Sequence, residues 1–315
     1  MVLEDRWLRE TYVDLLIEYA AKNKDIVILE ADLMKAGGTF RFAEKYPERT
    51  FDVGIQEANM IGTAAGMSAM GKIPFTHTFT AFATRRVCDQ VTLSVAYAGL
   101  NVKMMGSDPG VTAEYNGGTH MSMEDVSIMR NIPGMIVYEP VDSAQLKAIF
   151  PQVVDHYGPV YIRLLRRNAV KVFEDGETFE LGKGKLMRKG SDVSIFATGI
   201  MVAEAVEAVE ELAKEGIHAE LINIHTVKPL DEEMVLASVA KTGCAVTAEN
   251  HSVIGGLGSA VAELLIEKNP VPVKKVGVMD HFGEVGLTPY LKEKYGLTAK
   301  DIIAAAKAAI AMKKR

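Results

Sequence analysis

Glu57 is the residue of this sequence whose surroundings point most directly to chemistry. It follows a predicted strand at 50–55 and opens the small, apolar stretch EANMIGTAAGMSAM, which predicts a helix over about 57–70. An acid in the first turn of a helix complements the helix dipole, and this role alone could explain Glu57. The helix is apolar all round, however, which favours burial, and a buried carboxylate needs a partner or a raised pKa. The segment alone leaves the two roles equally open.

A second segment, THTFTAFATRR, combines aromatic and basic side chains where a predicted strand at 73–79 ends. It contains Phe79, Phe82 and Arg85. Two phenylalanines three residues apart are more often part of a core than a stacking platform. His77 alternates with the aromatic residues along the strand, so we interpret it as a structural histidine.

A third segment is the loop GSDPGVTAEYNGGTHMSMED, which carries His120 and follows a predicted strand at 101–107. Long polar loops at the carboxyl end of a strand tend to be functional. By itself, His120 could equally contact a ligand or stabilise the loop.

Alternating strands and helices must position these three segments. This alternation predicts an α/β fold, with two consecutive three-layer α/β/α domains built on mainly parallel sheets. In such sheets ligands bind beyond the carboxyl ends of the strands, where all three segments lie. The predicted strands are 25–32, 50–55, 73–79, 101–107, 135–140, 160–166, 192–199, 218–227, 244–250 and 273–280. The predicted helices are about 5–22, 57–70, 84–98, 123–131, 142–156, 200–215, 231–241, 258–268 and 299–312.

The polar, glycine-rich stretch FEDGETFELGKGKLMRKGSD interrupts the alternation and is the best candidate for a linker. We therefore predict domains at 1–170 and 192–315, joined by a linker at 171–191.

Composition narrows the function classes. The net charge of −6 argues against a nucleic-acid-binding protein. No apolar run reaches the roughly 18 residues of a membrane helix, and the charged N-terminus does not resemble a secretory signal. We expect a cytoplasmic protein that binds neither nucleic acid nor membrane.

Taken together and in order, GIQEANMIGTAAGMS, TFTAF, GGTHMSMED and LLRRN resemble the pyrimidine-binding domain of transketolase. The second half carries ATGIMVAEAVEA, TVKPLD and ENHSVIGGLGS, which are similar to the C-terminal domain of the same family. The resemblance covers nearly the whole chain, and it rests on four motifs in register.

The resemblance implies a thiamine diphosphate site. Glu57 would hydrogen-bond the aminopyrimidine ring and promote the tautomer that activates the cofactor. Phe82 would stack on the aminopyrimidine with Phe79 beside it. Ile55 and Arg85 fall at further cofactor-binding positions.

The resemblance also implies a sugar site and a reaction. His120 would be catalytic and would bond substrate hydroxyls, Arg166 would hold the sugar phosphate, and Asn116 and Arg6 fall at further substrate positions. The implied reaction moves a two-carbon ketol unit from a ketose phosphate to an aldose phosphate.

Half of the expected cofactor site is missing from the sequence. The family's Gly-Asp-Gly signature, which binds the diphosphate through Mg²⁺, occurs nowhere in this chain. The resemblance therefore implies a separate N-terminal-type transketolase subunit that carries the Mg²⁺ ligands. An α₂β₂ assembly would follow, inactive without that partner.

Several positions depart from the family pattern and leave the donor, the acceptor and the pathway open. Asn116 stands where an acidic residue is usual, and a histidine expected near Ser107 is absent. Ala36 replaces an expected serine, and Arg85 replaces a tyrosine.

Four other functions compete with transketolase. The CDQV stretch resembles deoxyxylulose-phosphate synthase, and a two-subunit arrangement is similar to that of 2-oxo acid decarboxylating enzymes. A non-catalytic scaffold subunit is a third possibility. The presence of all four motif residues, Glu57, Phe82, His120 and Arg166, argues against it. A dinucleotide-binding dehydrogenase is disfavoured because GGLGS lacks the required glycine spacing.

Overall fold

Two mainly parallel sheets flanked by helices form the molecule, and the predicted α/β class is confirmed. A computed structural model describes residues 2–313. The strands are β1 (Leu3–Trp7), β2 (Ile26–Glu30), β3 (Thr50–Asp52), β4 (Ile73–Phe79), β5 (Lys103–Ser107), β6 (Ile136–Tyr138), β7 (Val160–Leu164), β8 (Asn168–Val170), β9 (Lys185–Arg188), β10 (Val193–Ala197), β11 (Ala219–Asn223), β12 (Thr226–Lys228), β13 (Ala245–Ser252) and β14 (Val273–Val278). The α-helices are α1 (Leu8–Lys22), α2 (Met34–Gly37), α3 (Phe40–Lys45), α4 (Glu57–Ala69), α5 (Thr80–Ala83), α6 (Cys88–Gln90), α7 (Asp125–Asn131), α8 (Ser143–Asp155), α9 (Met201–Lys214), α10 (Glu232–Thr242), α11 (Leu257–Lys268), α12 (Thr288–Tyr295) and α13 (Ala299–Lys313).

The first sheet has the strand order β12-β6-β7-β5-β4-β2-β3. All neighbours in it are parallel except β12, which runs antiparallel to β6. Every residue of β2, β5 and β7 is buried, because helices cover both faces of a parallel sheet. These strands are mostly apolar, as in IVILE of β2, although burial also encloses Lys103 of β5 and Arg163 of β7.

The second sheet has the order β14-β13-β10-β11-β9, in which only β9 is antiparallel to its neighbour. Strand β9 lies inside the segment predicted to be a linker, so that segment contains a short strand that local composition did not indicate. The division of the chain at residues 170 and 191 stays a prediction.

The predicted strand at 218–227 is in fact two strands that belong to different sheets. β11 ends at Asn223 in the second sheet, and β12 begins at Thr226 at the edge of the first. The backbone N–H of Glu139 donates to the carbonyl of His225 at 2.8 Å, which ties the crossing point to the first sheet. Residues from the second half of the chain therefore complete the first sheet.

The predicted helix at 84–98 is also interrupted. The chain passes from a 3₁₀ turn (Arg85–Val87) through α6 into a π-helix (Val91–Tyr97). The hydroxyls of Thr84 and Thr92 donate to carbonyls four residues earlier, and such bonds compete with regular helix geometry.

A buried ionic network joins the two halves of the chain. The fully buried guanidinium of Arg163 donates to Asp125 at 2.7 Å, to Glu139 at 2.6 Å and to the carbonyl of Asn250 at 2.7 Å. Tyr161 adds a 2.8 Å hydrogen bond to Asp125. Buried charges require such pairing, so this network constrains how the halves pack together.

No helix among residues 2–313 is long and apolar enough to cross a membrane.

Replacing Arg163 with methionine should destabilise the fold by about 3–5 kcal/mol, because two buried carboxylates lose their counter-ion. Urea unfolding of the two proteins would measure the difference. Lys72→Met is the control, since it removes a solvent-exposed pair with Asp25 and should cost no more than about 1 kcal/mol. Equal losses in the two variants would contradict the role given to Arg163.

Stability should also depend on His225 below neutral pH. Burial lowers the pKa of His225 from 6.5 to about 4, against an opposing effect of Asp231, and the ring packs edge-on against Tyr138 and Phe179. In the unfolded chain His225 binds a proton near pH 6.5, whereas in the folded chain it does so only near pH 4. The stability present above pH 6.5 is therefore lost as the pH falls toward 4. His225→Asn should therefore flatten the pH dependence of unfolding by about 2 kcal/mol between pH 7 and pH 5. The exposed His218→Asn should leave it unchanged.

Candidate active site

The carboxyl ends of four neighbouring strands bring the candidate residues together. Strand pairing sets Glu30 beside His77, and Phe79 beside Ser107. Arg166 lies two residues beyond the end of β7, which pairs with β5. Parallel strands end at the same edge, so residues distant in sequence meet there.

Glu57 is buried, with 3% of its surface exposed, and it begins α4. The guanidinium of Arg86 donates to its Oε1 at 2.8 Å, and the same guanidinium lies 3.9 Å from the ring centre of Phe82. Arg86 thus connects the buried carboxylate with an aromatic face. A flat ring stacked on Phe82 would use the opposite face or require Arg86 to move.

Phe79, Phe82 and His120 form an aromatic cluster. The phenyl ring centres are 6.3 Å apart, and the imidazole lies 5.6 Å from Phe79 and 5.2 Å from Phe82. The hydroxyl of Thr119 lies 2.9 Å from Nδ1 of His120. The structure therefore brings the predicted stacking residues and the predicted substrate histidine into contact.

Arg166 extends this cluster toward a charged group. Its guanidinium carbon lies 5.7 Å from the ring centre of Phe79, and Nη2 lies 2.8 Å from Oδ2 of Asp108. The angle at this contact falls outside hydrogen-bond geometry, so neither Asp108 oxygen, nor Nε of Arg166, has a hydrogen-bond partner among the described residues.

Asp108 carries the most perturbed carboxyl of this edge. It is 1% exposed, and burial raises the pKa of Asp108 to about 6 in spite of the opposing charges of Arg166 and Arg167. Its backbone is left-handed, with φ at 57°, and its N–H donates to the carbonyl of Leu164 at 3.1 Å.

Arg9, not Arg6, lies beside Arg166. Backbone hydrogen bonds hold Leu8 and Arg9 against Arg167 and Arg166. The Arg9 guanidinium stacks on Trp7 at 4.2 Å and donates to the carbonyl of Ala36. Nε of Arg9 is buried without a hydrogen-bond partner among the described residues.

The remaining predicted residues are more dispersed. Arg6 is exposed and bonds Asp14 at 2.6 Å, and Arg85 is exposed and bonds Glu124 at 2.7 Å. Ile55 is 70% exposed. Among the described residues, no side-chain hydrogen bond, ion pair or cation–π contact links Arg6, Arg85 or Ile55 to the aromatic cluster.

Asn116 and the positions that depart from the family pattern also have defined places. Asn116 ends the 3₁₀ segment of the loop, and its buried Nδ2 has no hydrogen-bond partner among the described residues. The Ser107 hydroxyl lies 3.2 Å from Nε2 of His77, whose Nδ1 lies 2.9 Å from Glu30. His77 is therefore a buried, hydrogen-bonded histidine, which agrees with its structural interpretation.

Glu249, Asn250 and His251 serve the structure around the site. Glu249 accepts bonds from the backbone of Leu257 and Gly258 at 2.7 Å and so caps α11, and burial raises its pKa to about 7. Asn250 accepts a bond from the backbone N–H of Val111 and donates to Pro109, which anchors the His120 loop.

Sequence reasoning gave no site role to three residues: Arg9, Arg86 and Asp108. Asp108 directly follows a buried strand in a segment already expected to be functional, and this position was a usable signal. Arg9 could not be distinguished from Arg6, because the choice depends on pairing with residues far along the chain.

Within residues 2–313, no group of three histidine, cysteine or acidic side chains could hold a metal ion.

Comparisons with known proteins identify the family to which both halves of the chain belong. The family "Transketolase, pyrimidine binding domain" matches residues 6–171, and "Transketolase, C-terminal domain" matches 182–302. The chain is 71% identical over 304 residues to the 6-deoxy-6-sulfo-D-fructose transketolase subunit SqwH of Clostridium sp. (strain MSTE9), covering 96% of this chain and 94% of that protein.

Two further relatives have similar length. A putative transketolase C-terminal section of Methanocaldococcus jannaschii is 42% identical over 299 residues, covering 94% of this chain and 93% of that protein. A solved structure described as a split gene transketolase, inactive beta4 tetramer, superposes with a TM-score of 0.89 at 46% identity and covers 98% of this chain and 99% of its own. This chain belongs to the transketolase family and consists of its pyrimidine-binding and C-terminal domains.

Proposed function

We propose that this chain is the pyrimidine-side subunit of a split, thiamine diphosphate-dependent transketolase and that an N-terminal-type subunit completes its active site. The observation that carries the proposal is the continuous arrangement from buried Glu57, through Arg86 and Phe82, to His120, Phe79 and Arg166. The arrangement begins with a carboxylate and an aromatic platform, which suit a cofactor ring. It continues with an imidazole that can bind hydroxyls and a guanidinium that can bind an anion, which suit a sugar substrate.

The residues present fit one half of thiamine diphosphate. Glu57 offers a buried carboxylate whose Oε2 accepts no hydrogen bond from the described residues, and Phe82 offers a phenyl face for a heterocycle. The described residues offer no carboxylate cluster for the Mg²⁺ of the diphosphate. This one-sided fit supports a partner that contributes the metal site.

The protein side of the reaction follows from these positions. Bound thiamine diphosphate would supply the electron sink that lets a carbon–carbon bond beside a carbonyl break and re-form. Glu57 would bond a ring nitrogen of the aminopyrimidine and orient it. His120 would hold the proton that leaves the donor hydroxyl as the bond breaks, and would return a proton to the acceptor oxygen when the new bond forms.

Arg166 and Arg9 indicate the class of donor. Two guanidiniums beyond the aromatic cluster suit a ketose whose far end carries an anionic group. The name of the 71% identical relative supplies the first donor to test, 6-deoxy-6-sulfo-D-fructose. Cleavage of its C2–C3 bond would leave a four-carbon sulfonated aldose and pass two carbons to an acceptor aldose.

Thiamine diphosphate with Mg²⁺ should bind tightly only when this chain is mixed with an N-terminal-type subunit, because the diphosphate and metal ligands are expected there. Calorimetric titration of the chain alone and of the mixture measures this. Tight binding to the isolated chain would contradict the split site. Absence of binding to a confirmed complex would favour a scaffold role.

Glu57→Gln should lower kcat of the assembled complex by roughly 10²–10⁴-fold, because the amide cannot exchange the proton that the aminopyrimidine requires. Steady-state assays of ketol transfer measure the loss. Glu263→Gln is the matched control: it removes an exposed carboxylate on α11 that pairs with Arg130, and should leave kcat unchanged. A fully active Glu57→Gln complex would contradict the catalytic role assigned to Glu57.

A further inference from the structure

Three charged side chains at the carboxyl edge of the first sheet form an anion pocket: Arg9, Asp108 and Arg166. Nε of each arginine and both carboxylate oxygens are buried without hydrogen-bond partners among the described residues. Asp108 is 1% exposed. Buried polar atoms are ordinarily hydrogen-bonded, so several buried atoms without hydrogen bonds in one place indicate a binding site for a polar ligand.

The charges around the anion pocket are already paired with one another. Arg167 lies 2.8 Å from Glu114, which also accepts bonds from Thr288. His77 is hydrogen-bonded to Glu30. Glu10, next to Arg9, lies 3.7 Å from Arg6. Arg166 and Asp108 lie 2.8 Å apart as an ion pair. Arg9, Arg166 and Asp108 together therefore leave one guanidinium charge without a counter-ion.

Those three groups give the anion pocket a net charge of +1 when Asp108 is ionised. A sulfonate carries one negative charge at any physiological pH, and it would make the pocket neutral. A phosphate monoester carries about −1.5 to −2 at pH 7, and its second charge would face the Asp108 carboxylate in a partly desolvated site. Without the Asp108 carboxylate the two guanidiniums would carry a net charge of +2, which would suit the phosphate better than the sulfonate.

We propose that Asp108 determines specificity at this site, favouring sugars with a singly charged acidic tail, such as a sulfonate, over sugars with a doubly charged phosphate. The inference rests on the proposed function for the location of the sugar. It goes beyond that function because it assigns the discrimination between sulfonate and phosphate to the acidic side chain of Asp108 and not to the arginines.

Asp108→Asn is a suitable test because it removes the charge with little change in shape. Asparagine, like aspartate, tolerates the left-handed backbone at φ 57°, and the N–H bond to Leu164 is unaffected. Asp108→Ser is a second uncharged variant. Asp25→Asn is the control, since it removes an exposed carboxylate that precedes β2 at the opposite edge of the sheet.

The donors are 6-deoxy-6-sulfo-D-fructose and D-fructose 6-phosphate. Two quantities are measured for each: kcat/KM of the complex with the N-terminal-type subunit, and the dissociation constant for this chain by calorimetry. The wild type should prefer the sulfonate. Both Asp108 variants should raise the phosphate-to-sulfonate ratio about tenfold or more in both measurements, and Asp25→Asn should not change it.

The outcomes separate the inference from the proposed function. Ketol transfer with a ratio unchanged in folded Asp108 variants would overturn the inference and keep the function. A shifted binding ratio without ketol transfer would keep the inference and overturn the function. If the wild-type chain binds neither sugar, or binds the phosphate more tightly, the inference is wrong.

Discussion

The buried guanidinium of Arg163 is the interaction on which the rest of the structure depends. It begins on a central strand of the first sheet and meets a carboxylate from α7, a carboxylate after β6 and a carbonyl from β13. Neither half of the chain satisfies this group alone. The cost of leaving such a charge unpaired holds the two sheets in one relative position, and the loop between β5 and α7 is built on that position.

That loop shows what the C-terminal half contributes to the site. Asn250 binds the start of the loop, Ser252 binds its end through the carbonyl of Met123, and Thr288 binds Glu114 in its middle. A Cβ on Gly118 would lie 2.2 Å from the carbonyl oxygen of Gly283, so only glycine allows this approach. The C-terminal half of the chain thus fixes the segment that carries Asp108 and His120.

The sequence was sufficient to predict features that local pattern determines. Apolar runs located the buried strands, and the rule that parallel strands end together predicted that Phe79 and His120 lie at one edge. Arg166 was predicted there only through the family resemblance. Features that depend on distant pairing were out of reach. Arg9 rather than Arg6 faces Arg166 because β1 pairs with β8, more than 160 residues along the chain, and delays the start of α1. The double role of 218–227 has the same origin, since only tertiary pairing separates its two strands.

The crossing of β12 into the first sheet has a consequence for the modularity of the chain. A fragment that ended before β10 would contain every residue of the proposed site but would leave the outer edge of β6 open to pairing with other chains. The predicted division at residues 170 and 191 therefore does not fully separate the strands of the two sheets. A division of the chain between the two domains would remove β12 from the edge of the sheet that carries the candidate site.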